Sequence, residues 1–154
     1  MFIITGKKIT TLGNEVYEFM CGLYPNLTEV DIEVIPTDLT EDNVFGWTME
    51  TDDQHEIEIH NDLSEKDFIT TLIHELIHVD QNVRGLRDDE ERENEAYKLE
   101  TPLTNQFLNV TNCKTFLKST VYPLSREYNK SNYTPYKNES NSTLNQPMGH
   151  PRKI

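Results

Sequence analysis

The stretch from Ser64 to Arg84 constrains this chain more than any other. Phe68, Leu72, Leu76, Val79 and Val83, with Ile69, Ile73 and Ile77 alongside, recur at helical spacing, and the polar residues His74, Glu75 and His78 are set among them. Ser64-Glu65-Lys66-Asp67 has the form of a capping box and Gly85 that of a C-cap, so the pattern predicts one helix over 64–84. An apolar stripe this wide has to be buried, which makes the helix central to whatever fold forms. Burying two imidazoles and a carboxylate with it is costly unless a further group, such as a metal ion, compensates them.

His74-Glu75-Leu76-Ile77-His78 spells H-E-x-x-H. On a helix the two histidines lie one turn apart on the same face, where both can reach one zinc ion, and Glu75 stands beside them as a general base for water. A zinc site needs a third protein ligand. Gln81 and Arg84 occupy the places of the glycine and histidine of the extended pattern, so that ligand comes from elsewhere. Downstream, Asp88 to Glu100 forms an acidic, strongly helix-forming run that Pro102 is expected to close. With about 1.5 Å of rise per residue, a helical hairpin turning near Gly85 brings Glu93 or Glu95 level with the histidines. Ala96, Leu99 and Leu103 mark the inward face of this second helix, and Glu93 lies nearer its centre than Glu95, which favours Glu93 and keeps Glu95 as the alternative.

His74 to Gln81 followed by Glu93-Asn94-Glu95-Ala96-Tyr97 resembles the small zincin-like metallopeptidases, and the E-x-E-A-Y form is similar to that of zincin-like proteins of bacteriophages. The resemblance covers roughly residues 40 to 105. It implies a zincin-like α+β fold, with a small mixed sheet packed on the helix that carries H-E-x-x-H. It implies one Zn2+ per chain held by His74, His78 and, from the E-x-x-A pattern of related gluzincins, Glu93. It also implies hydrolysis of a peptide or protein substrate with Glu75 as catalytic base. Tyr97, one turn beyond Glu93, is expected to pack beside the site, and His60 is a lesser candidate for a donor or spare ligand.

The remaining pattern supplies a scaffold. Phe2–Thr5 reads as a strand, Thr10–Leu23 as a helix, and Val30, Ile32 and Val34 alternate with polar residues in a strand ended by Pro36. Phe45–Thr51 and His55–His60 form a hairpin about Asp52-Asp53. Few strands followed by helices give an α+β domain. The last strand, with outward Glu56 and Glu58, is expected at a sheet edge, where it either receives an extended, basic peptide or uses its charges to prevent edge aggregation. Phe107, Val110, Phe116, Leu117 and Val121 predict a further helix before Pro123. After Asn129 the chain is polar, which divides it into a domain over 1–128 and a flexible tail over 129–154.

A chain of 154 residues is long enough for a single core, and 14 basic against 27 acidic residues give a net charge of −13, which argues against nucleic acid as a partner. No apolar run is long enough for a membrane span or a secretory leader, and the two cysteines, Cys21 and Cys113, fit reduced thiols, so a cytoplasmic setting is expected. The rival function for so acidic a chain is a non-enzymatic binder of a basic partner surface, with structural zinc or none.

Overall fold

The computed structural model describes residues 1–6, 9–51 and 54–110, together with the backbone of residues 152–153. It is a mixed α+β fold. Strand β1 (Phe2–Ile4) leads into helix α1 (Thr10–Leu23), then a 3-10 turn (Pro25–Thr28), strands β2 (Ile32–Thr37), β3 (Val44–Glu50) and β4 (His55–His60), and helices α2 (Glu65–Val83) and α3 (Asp89–Val110). A two-residue strand, β5 (Arg152–Lys153), completes a sheet ordered β1-β2-β4-β3-β5. The pairs β1/β2 and β2/β4 are parallel, while β4/β3 and β3/β5 are antiparallel.

Alternation along the strands decides which face is covered. Ile32 and Val34 of β2, Val44 of β3, and Ile57 and Ile59 of β4 are buried on the face that meets α2, and Val16 and Met20 of α1 join the same core. Helix α2 is enclosed almost all round: every residue from Phe68 to Asn82 is buried. Sheet, α1 and α3 divide its surface between them, which is why Thr71, His74, Glu75, His78 and Gln81 of α2 can sit at zero exposure.

Local chemistry fixes the ends of α2. Ser64 caps it by accepting from the Asp67 amide at 3.2 Å. At the other end Gly85 adopts a positive φ of 74°, and Leu86 N–H reaches Gln81 O at 2.9 Å while Gly85 N–H reaches Asn82 O at 3.0 Å. That is the Schellman arrangement, which needs a left-handed residue where glycine stands. Three residues after Gly85, Asp88 opens α3, accepting from the Glu91 amide at 2.9 Å, so the chain reverses and lays α3 along α2.

Several boundaries differ from those read off the sequence. Pro36 does not end β2, which continues to Thr37. Ile32 N–H and Val34 C=O point to β1, so by alternation the missing N–H of Pro36 lies on that side, past the end of β1, where no ladder bond is lost. Pro102 does not close α3 either; its ring and the Lys98 carbonyl it deprives of a donor lie on the exposed face, while Leu103 and Phe107 beyond it are buried. Phe107 and Val110 therefore belong to α3. The rest of the expected further helix, the boundary at 128/129 and the polar tail lie outside the described residues, Arg152 and Lys153 excepted. Finally, β4 is interior to the sheet between β2 and β3, and β3 is bordered on its other side by the short β5 only at Val44 and Gly46. The acidic side chain of Glu58 accepts from Trp47 Nε1 and Thr37 Oγ1 of the flanking strands and guards no edge.

Among the described residues no helix is long and apolar enough to cross a membrane.

Candidate metal centre

The helical hairpin brings three ligand-type side chains to one point. His74 and His78 project from α2 toward α3, and Glu93, on the second turn of α3, meets them. His74 Nε2 lies 3.1 Å from His78 Nε2. Glu93 places Oε1 3.1 Å from His78 Nε2 and Oε2 3.8 Å from His74 Nε2. Ligand atoms around a tetrahedral zinc, each about 2.0–2.1 Å from the ion, are roughly 3.3 Å apart, so these separations match a ligand set.

The outer hydrogen bonds decide which nitrogens face inward. His74 Nδ1 donates to Glu100 Oε2 at 2.8 Å, and a carboxylate can only accept. Gln81 Nε2 donates to Arg92 O at 3.0 Å and to Glu95 Oε2 at 2.7 Å, both acceptors; this fixes the amide so that its oxygen faces His78 Nδ1 at 2.7 Å. Both Nδ1 atoms therefore carry the proton, and both Nε2 atoms present lone pairs to each other and to the Glu93 carboxylate. Glu93 Oε1 finds no hydrogen-bond donor there. Three electron-pair donors converging in a buried site, with no donor hydrogen between them, fit a bound cation. The chemistry of the set, two imidazoles and one carboxylate, fits zinc.

A proton can compete for these lone pairs. Burial opposes a charge on His78, but Glu93, Glu75 and Gln81 outweigh it and hold its pKa above the ordinary histidine value. Without a metal, His78 would take that proton and pair with Glu93.

Glu75 is fully buried on the sheet side of α2. Thr48 Oγ1 of β3 donates to its Oε2 at 2.8 Å, and Oε1 has no partner. Burial raises the Glu75 pKa against the opposing pull of His74, His78 and the Thr48 hydroxyl. β3 comes this close because Gly46 has no side chain: a Cβ there would lie 2.9 Å from Glu58 O, 2.9 Å from Thr71 Cγ2 and 3.4 Å from Glu75 Oε1.

The sequence candidates thus divide. His74, His78 and Glu93 come together with Glu75 beside them. Glu95 turns away to Gln81 Nε2 and to Arg84 Nη2 at 2.8 Å, where it orients Gln81. Tyr97 stacks edge-on against His74, ring centroids 4.9 Å apart. His60 lies elsewhere, its Nδ1 accepting from the Leu39 amide at 3.1 Å. Sequence reasoning missed Glu100, Gln81 and Thr48. The first two had a signal: Glu100 stands seven residues, two helical turns, after Glu93, and Gln81 three residues after His78. Thr48 had none, because only the sheet brings it to α2. No protein-family model, no curated protein and no solved structure matches this chain.

Proposed function

We propose that this protein is a zinc-dependent peptidase of zincin-like design, with His74, His78 and Glu93 as the residues that hold the metal and Glu75 as general base. One observation carries the reading: two Nε2 lone pairs and a carboxylate converge within 4.8 Å of one another, beside a buried glutamate with one oxygen that has no hydrogen-bond partner. Zinc bound there supplies Lewis-acid polarisation of a carbonyl and makes water a stronger acid.

The chain's own residues do the rest. Glu100 and Gln81 hold the proton of each histidine on Nδ1 and so aim both Nε2 atoms inward. The Thr48 hydroxyl holds one oxygen of Glu75 and leaves Oε1 to take a proton from water. Because burial raises the affinity of Glu75 for that proton, the carboxyl can keep it and then deliver it to the leaving amine. The substrate is a peptide laid extended along β3, the sheet edge that passes Glu75.

Native mass spectrometry of the purified chain should find one zinc per molecule, lost in His74→Ala and in His78→Ala. Glu75→Gln should keep both the zinc and the thermal stability while hydrolysis of a diverse peptide library drops about 10²–10⁴-fold, the usual contribution of a positioned general base. A chain that binds no zinc under non-chelating conditions, or a Glu75→Gln protein as active as the parent, would overturn this function. An acidic binder would instead keep its function in Glu75→Gln and lose it progressively with added salt.

A further inference from the structure

The backbone of β3 has one side committed to β4 and one side only partly paired. Thr51 N–H donates to Gln54 O at 2.9 Å to close the hairpin, and Trp47 and Met49 stand opposite Glu58 and Glu56 in the β4 ladder. In an antiparallel pair the residues alternate, so Val44, Gly46, Thr48 and Glu50 turn their N–H and C=O groups away from β4. These same residues border the site: Gly46 abuts Glu75 and Thr48 hydrogen-bonds it. The partly paired side of β3 is therefore a sheet edge running past the proposed general base.

That edge is already in use at one end. Lys153 stands opposite Val44 and Arg152 opposite Gly46, antiparallel, with an irregular register between them. Beyond them, Thr48 and Glu50 continue the edge with no strand opposite among the described residues. We propose that the segment containing Arg152 and Lys153 is a resident occupant of the peptide-docking edge, which an incoming peptide must displace. It pairs antiparallel with β3, it covers the position next to Glu75, and it brings two adjacent basic residues to a chain whose net charge is −13. The displaced and displacing strands share one chemistry, extended and basic. That the edge serves substrate rests on the peptidase reading; the self-pairing does not.

Two readouts keep these apart. In Arg152→Pro/Lys153→Pro both N–H donors are removed, whichever of them faces β3. Amide hydrogen exchange at Val44 and Gly46 should then accelerate about tenfold or more, with Trp47 and Met49 unchanged as ladder controls and zinc content unchanged. Arg152→Ala/Lys153→Ala, which keeps the backbone donors, should leave exchange at Gly46 slow. For a peptide selected from the library, KM should fall about threefold or more in the proline variant with kcat unchanged, because a competing state lowers only the binding-competent fraction. Exchange at Gly46 that is the same in parent and proline variant overturns the self-pairing, and accelerated exchange with an unchanged KM overturns the competition. If neither protein cleaves any peptide while exchange still accelerates, the peptidase reading fails and the resident strand stands.

Discussion

Glu100 acts on the proposed metal site through His74, and a glutamine in its place would still accept a hydrogen bond but without the charge that makes the imidazole a stronger ligand. Glu100→Gln should therefore weaken zinc binding about 10–100-fold, the usual effect of losing an outer-shell partner. Glu93→Gln should cost far more, because a carboxamide is a poor zinc ligand, and Glu95→Gln far less, because Glu95 only steadies Gln81 and Arg84. Chelator competition ranks the three, and an order in which Glu95→Gln is the most severe would move the ligand to Glu95. A different residue contributes to stability in acid. His55 on β4 is 6% exposed, and neither ring nitrogen has a partner. Burial lowers its pKa, with Arg87 adding to that and Glu50 opposing it. The unfolded chain thus binds this proton more readily than the folded one, so the contribution is intact above the unfolded value of about 6.5 and is lost as pH falls below it. His55→Phe, compared with the parent by melting temperature in the zinc-loaded state, should decline less between about pH 6.5 and 5.

Helix α3 shows how an element can outlast a residue that opposes it. Pro102 removes one backbone bond and leaves the Lys98 carbonyl to solvent, yet Leu103, Thr104 and Phe107 are buried on the other side, and Thr104 Oγ1 donates to Thr70 Oγ1 of α2 at 3.2 Å. Packing outweighs the lost bond. Alanine at 102 would restore the bond and the helix propensity, but it would also free the unfolded chain, so the net gain should be about 1 kcal/mol and not the ~3 kcal/mol separating proline from alanine in a helix interior. Urea unfolding of Pro102→Ala measures it; a loss of stability would mean that the proline sets a bend the packing requires. Helix α2 is held in the opposite way, by contacts on every side. Its Asp80 accepts from Asn26 Nδ2 at 3.0 Å and from Arg84 Nε at 2.7 Å, tying the 3-10 turn to the last turn of the helix. A helix so enclosed keeps His74 and His78 in place whether or not a metal is bound.

For the whole molecule, the proposed metal joins α2 to α3 where the alternative is two facing lone pairs and a carboxylate. Removing it should loosen that hairpin first. Stripping zinc with a chelator at neutral pH should lower the melting temperature, and re-adding zinc should restore it with the logarithmic dependence on free metal expected of a ligand bound only by the folded state, about 4 kcal/mol at a thousandfold excess over Kd. Amide exchange should rise most along α3 around Glu93 and least in the β2/β4 ladder. A melting temperature indifferent to zinc would show that the hairpin does not depend on it.

The sequence by itself determined the parts whose causes are local. The span and both caps of α2, the start of α1, the alternating strands and the placing of two histidines and a glutamate on one helix follow from spacings of two to four residues and from Ser64 and Gly85, because hydrogen bonds within a helix or turn join near neighbours. Even Glu93 was within reach, since a short hairpin relates the two helices by simple rise per residue. The tertiary structure alone decided that β4 lies inside the sheet, that Thr48 holds Glu75, and that Arg152 and Lys153 return to β3. Each of these joins residues distant in the sequence, and strand order leaves no periodic trace because an interior and an edge strand can alternate alike. It also decided the fate of Pro102 and Pro36, whose missing N–H groups cost little only because of what lies beside them: water in one case, the end of β1 in the other.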